Sequence, residues 1–156
     1  MTGFLTLAFL IGVIAGLRAM TAPAAVSWAA RLGWLHLNGT ALGFLGFAAT
    51  PYILSLAALS ELVNDKLPRT ASRKSPPQFI TRIVSGALCG AAFGAASQAL
   101  IGGLVAGMAG AVAGTLGGYE LRSRLVKAIG GKDLPIALLE DVIAVAGAFL
   151  IVSRAA

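Results

Sequence analysis

Five ionisable residues stand inside apolar stretches of this chain: Arg18, Glu61, Asp65, Glu140 and Asp141. A charge at the centre of a membrane-spanning helix costs about 2.5–3.5 kcal/mol, so each of them needs a partner or a purpose. Glu61 and Asp65 are one helical turn apart and share a face. Glu140 and Asp141 begin about seven residues into the last apolar segment, roughly 10 Å from its start at 1.5 Å per residue. Four carboxylates gathered in one layer have the chemistry to take up a proton or a small cation. A hard metal ion is a further candidate, and the sequence leaves metal binding open. Arg18 is the one deep base, and its long side chain can pair with the acids or hold an anionic group. Beside it, Thr21 offers a hydroxyl, and Pro23 has no N–H to donate to the carbonyl of Ala19. These groups suit the binding of an ion or polar solute at a broken helix. Clustered acids with a metal would suit a membrane transferase acting on lipid phosphates, but nothing in the sequence fixes a nucleophile or a general base. His36 is the only histidine and Cys89 the only cysteine, which argues against His-based nucleophile or zinc sites and excludes an intrachain disulfide. The glycine-rich runs lack the strand and the G-x-x-x-x-G-K-[ST] order of a phosphate loop. No enzyme activity and no cofactor is expected.

Two readings of the charges compete. In the first they form a structural network, the acids pairing with Lys66, Arg82, Arg122 and Arg124 and locking the helices together. In the second, Arg18, Thr21, Glu61, Asp65, Glu140 and Asp141 line a site for a small ion or polar solute. Lys66, Arg82, Glu120 and Arg122 then serve as supporting charge pairs, with hinges at Pro23 and Pro51. The acids outnumber the one deep base, which leans toward a cation or proton.

The elements that must position these residues follow from composition. The 156 residues are 58% hydrophobic and 12% charged, with a mean hydropathy of +0.88. Soluble domains carry about 25% charged residues, so an all-α, polytopic membrane bundle forming a single domain over residues 1–156 is expected. The net charge of +6 is concentrated in two short segments without the aromatic interleaving of a nucleic-acid surface. The apolar run from Phe4 to Leu17 has no preceding Lys or Arg, so it reads as a first span rather than a cleaved leader.

Five spans are expected, over about residues 3–31, 40–66, 76–100, 103–119 and 134–153. The first is a broken helix, with Thr21 capping its second piece after a kink at Pro23. Pro51 should bend the second. Ser75-Pro76-Pro77-Gln78 reads as a helix start, Gly102-Gly103 as the turn between spans 3 and 4, and residues 120–129 as an amphipathic extension ended by Gly130-Gly131. Spans 3 and 4 are striped with glycine at every fourth residue (Gly86, Gly90, Gly94; Gly110, Gly114, Gly118, with Gly103 and Gly107 in a parallel row). Such stripes pack two helices closely, either these two or two subunits of a homo-oligomer. The basic segments Lys66–Arg82 and Glu120–Asp133 should lie in the cytoplasm. Five spans then put the N-terminus inside and the C-terminus outside.

The segments GLRAMTAPA (Gly16–Ala24), ELVNDKLPRTASR (Glu61–Arg73), RIVSGALCGAAFG (Arg82–Gly94) and DLPIALLEDVIAV (Asp133–Val145) together resemble the bacterial membrane proteins grouped as domain of unknown function 4126. The resemblance covers nearly the whole chain and implies an integral inner-membrane location, with no established activity. The expectation drawn from all of this is a homo-oligomeric transporter or channel-like protein in the lipid bilayer, handling a small ion or polar solute. The alternative is a non-transporting scaffold or assembly factor whose charge pairs are structural.

Overall fold

The computed structural model describes residues 2–66 and 75–156. Its described residues form six α-helices, α1 (Thr2–Leu17), α2 (Thr21–Arg31), α3 (Thr50–Asn64), α4 (Pro76–Ala96), α5 (Leu100–Ala128) and α6 (Asp133–Ser153), with one 3-10 turn at Gly43–Gly46. The all-helical membrane bundle expected from composition is what is found. Helices α4, α5 and α6 are long and apolar enough to cross a bilayer. Their outer faces carry large apolar side chains exposed in the isolated chain, among them Val84, Ile101, Val105, Val142 and Phe149. Contiguous apolar surface of this extent belongs against lipid.

Glycine sets how α1, α4 and α5 meet. A Cβ on Gly90 would overlap the carbonyl oxygen of Gly103, and one on Gly107 would overlap that of Gly86, so α4 and α5 lie backbone to backbone and antiparallel. The second stripe, Gly110 and Gly114, is pressed instead against Phe9 and Val13 of α1. Helix α1 runs parallel to α5, with Gly12 at Gly107 and Gly16 at Ala111. Both stripes are therefore used within one chain, and the surface they were expected to offer a second subunit is already occupied.

The first span departs from expectation. The break falls at Arg18–Met20 rather than at Pro23, and the chain reverses there. Helix α6 records the reversal: Asp141 meets Arg18, Gly147 approaches Ile14 of α1, and Phe149 stacks edge-on against Trp34 beyond the end of α2. Helices α1 and α2 are thus the two arms of a hairpin. Pro23 is accommodated in the first turn of α2, where its missing N–H would have no intrahelical partner in any case. Thr21 is the first residue of that helix and makes no capping bond; Met20 occupies the cap position.

Two other expectations are corrected in detail. Pro51 opens α3 in its first turn instead of bending a longer helix over 40–66. The turn between α4 and α5 is made by Ser97–Ala99, with Gln98 at φ 57°, while Gly103 sits inside α5 against Gly94. The helix start at Ser75-Pro76 and the left-handed Gly130 and Gly131 are found as read. The basic residues Arg69, Arg73 and Lys74 lie outside the described residues.

The hairpin changes the order of helix directions. Successive helices alternate in direction, so the start of α1 and the end of α6 lie on the side opposite the end of α3, the start of α4 and the α5–α6 turn. Among the described residues, Lys66 and Arg82 lie on one side with Arg122, and the 35–40 and 97–99 turns lie on the other. The one kinked span expected over residues 3–31 is two antiparallel helices.

Candidate functional site

The hairpin tip leaves helix ends inside the bundle, and an orphaned backbone group in an apolar setting demands a partner. Distant helices supply them. Glu61 of α3 accepts from the backbone N–H of Ala19 (2.8 Å) and of Met20 (2.7 Å), capping the start of α2 with a full negative charge. Anions are favoured at that pole of a helix. Arg82 of α4 donates from Nη1 to the carbonyls of Gly16 (2.6 Å) and Leu17 (2.7 Å), closing the end of α1. The hydroxyl of Thr115 reaches Gly16 O (3.2 Å), and that of Ser85 reaches Ala19 O (2.5 Å), the carbonyl Pro23 cannot serve. Arg82 and Glu61 also approach each other at 3.7 Å.

One step along the tip, the side chain of Arg18 is 0% exposed and held by acids from two other helices. Its Nη1 pairs with Asp65 at the end of α3, and its Nη2 lies 2.5 Å from Asp141 and 3.8 Å from Glu140 on α6. An outer ring of cations closes over those acids. Lys66 Nζ reaches Asp141 (2.5 Å), and Arg122 of α5 reaches Glu140 (3.3 Å) and Asp65 (3.7 Å) while gripping Asp133 through two bonds of 2.6 and 2.8 Å. Exposure is graded outward, from Arg18 at 0% through Asp65 and Asp141 at 12% to Lys66 at 26%. The layer is therefore reached from the side of the basic segments. Counting inward from the first residues of α4 and α6, it lies roughly 10 Å below their ends.

Of the residues singled out in the sequence, the structure brings together Arg18, Glu61, Asp65, Glu140 and Asp141 with Lys66, Arg82 and Arg122. Four carboxylates thus stand with four cations, so the excess of acids expected at depth is absent from this layer. Glu120 is elsewhere: it pairs with Arg124 one turn on, on the exposed extension of α5. Thr21 borders the layer without joining it, and Pro23 and Pro51 act as first-turn residues rather than hinges. Asp133, Ser85 and Thr115 were not singled out from sequence. Asp133 carried a signal, being an acid in the first turn of a helix beside a basic segment; a serine and a threonine in apolar helices carried none. Among the described residues no group of three or more His, Cys, Asp or Glu side chains is disposed to hold a metal.

The family described as Domain of unknown function (DUF4126) matches residues 5–154. No curated protein and no solved structure matches the chain.

Proposed function

The chain belongs to this family, whose description assigns no activity, and we propose that it moves a proton or small cation across the membrane through the charged layer at the hairpin tip. The observation that carries the reading is the enclosure of the Arg18 guanidinium by carboxylates of α3 and α6. Arg18 fills the position a transported cation would take. A proton or cation arriving past Lys66 and Arg122 competes with Arg18 for Asp65 and Asp141, and the freed guanidinium retains Glu140. Broken helices whose ends meet at depth are a recurrent way to build transporter sites. The side bearing Lys66, Arg122, Arg124, Lys127 and Lys132 is cytoplasmic by the positive-inside rule, in a bacterial inner membrane. Both termini then face outward.

A second reading rests on the balance of four acids with four bases and on the use of Glu61 and Arg82 as helix caps: the layer is a static clasp in a scaffold protein. Proton, sodium and potassium flux into vesicles containing the purified protein separates the two. The transport reading expects flux that Asp65→Asn and Asp141→Asn abolish while the helical content and melting of the protein are retained. Absence of flux for all three ions, with both variants destabilised, favours the clasp.

A further inference from the structure

On the flank away from the glycine-packed helices, α2, α3 and α6 wall a groove of about 490 Å³, within the range of small-molecule sites. Its lining is almost wholly hydrocarbon, from Ala25, Ala58, Leu59, Leu62, Ala148 and Phe149, and both tryptophans of the chain, Trp28 and Trp34, border it. Trp28 donates to Ser55 (3.0 Å), which satisfies those two polar groups. Thr21 is different. It is 6% exposed, lines the groove at the end nearest the charged layer, and its hydroxyl has no hydrogen-bond partner among the described residues. Thr21 is the first residue of α2, so its own helix offers no carbonyl one turn back.

Length identifies what the groove faces. Helices α2 and α3 have 11 and 15 residues, roughly 16 and 22 Å, against a hydrocarbon core of about 30 Å. Helices this short bring the polar boundary of the bilayer toward Thr21 and Arg18 on this flank. Leu32, Leu59 and Phe149 are exposed along the rim, so the groove opens toward acyl chains. Lys66, one turn beyond the wall residue Leu62, sets a partly exposed cation at the same end. We infer that the groove holds one acyl chain of a membrane phospholipid, with Thr21 donating to the ester oxygen and Lys66 facing the phosphate.

The two tryptophans give the test. The full-length protein in detergent micelles is titrated with phosphatidylcholine brominated on its acyl chains, and tryptophan fluorescence is read. The expected result is saturable quenching at about one lipid per chain. Thr21→Val should weaken the midpoint roughly fivefold, the loss of one neutral hydrogen bond, and Ala25→Phe, which fills the groove, should remove the saturable phase. Circular dichroism shows whether each variant is folded, and Thr21→Val, close to isosteric, carries the test if Ala25→Phe is not. Quenching that rises only in proportion to the brominated fraction overturns the inference. So does saturable quenching that Thr21→Val leaves unchanged, or a dimer that shields both tryptophans from bromine.

Discussion

If Glu61 is the cap of α2, then removing its charge should open the hairpin tip specifically. Its two carboxylate oxygens take the N–H groups of Ala19 and Met20 at 2.8 and 2.7 Å. Hydrogen bonds to an ionised group are worth about 1.5–3 kcal/mol each. Glu61→Gln keeps one carbonyl oxygen and loses the other acceptor, setting an amide NH₂ against a backbone N–H. It also loses the interaction of the charge with the helix pole, about 0.3–1 kcal/mol. The sum is a destabilisation of about 2–4 kcal/mol. The assay is equilibrium unfolding in mixed micelles, paired with hydrogen exchange at the two amides, which should accelerate more than those in the middle of α4 or α5. Glu120→Gln is the control: its exposed pair with Arg124 should be worth under about 1 kcal/mol. If Glu61→Gln lay within about 0.5 kcal/mol of the parent and the Ala19 and Met20 amides exchanged as before, the capping argument would fail.

Other perturbations probe the remaining contacts. Gly107→Ala puts a Cβ into the Gly86 carbonyl and the Gly90 Cα and should cost about 1–3 kcal/mol or more by overpacking; Gly117→Ala, which meets nothing within 4 Å, should be neutral or slightly stabilising, and equal effects at the two positions would refute the close approach of α4 and α5. Arg18→Met strands carboxylates that now share a buried guanidinium and should cost about 3–5 kcal/mol; Arg18→Lys should recover only part of this, since an ammonium cannot present two forked donors to Asp65 and Asp141 together, and full recovery in a thermal melt would show that the fork is irrelevant. Reporters fused to the N- and C-termini should give the same, external, location; a split result would restore an odd number of passes.

The charged layer was legible in the sequence because each acid or base placed within an apolar helix must find a partner, and the spacing put Glu61, Asp65, Glu140 and Asp141 at one depth. The partners of Arg18 followed. What the spacing left open was which of the candidate cations join the layer: Lys66, Arg82 and Arg122 do, while Arg124 pairs with Glu120 on the exposed extension of α5. The hairpin was illegible for a sharper reason. Pro23 and Pro51 each mark a place where a backbone N–H is absent, a demand met equally by a kink inside a helix or by a first turn. The choice between continuing and reversing at Arg18–Met20 is made by tertiary partners, Glu61 from α3 and Arg82 from α4, more than forty and sixty residues away in sequence. Gly102-Gly103 misled in the same way. It has the composition of a turn, yet Gly103 lacks a side chain so that Gly90 and Gly94 can approach, and the turn falls on Ser97–Ala99.

These local ambiguities have unequal consequences. A misplaced turn between α4 and α5 shifts a boundary by a few residues and leaves every later element on its own side. A missed reversal changes the parity of everything before it. Charge could not correct the error, because the stretch before the hairpin tip carries no Lys or Arg and so contributes nothing to the positive-inside signal. The loops after residue 60 orient α4, α5 and α6 whichever way α1 runs. The direction of α1 relative to the rest of the bundle therefore rests on two buried caps, not on loop charge. A variant that weakens those caps without touching the basic segments, such as Glu61→Gln combined with Arg82→Gln, should leave the C-terminal reporter unmoved while the N-terminal one becomes heterogeneous.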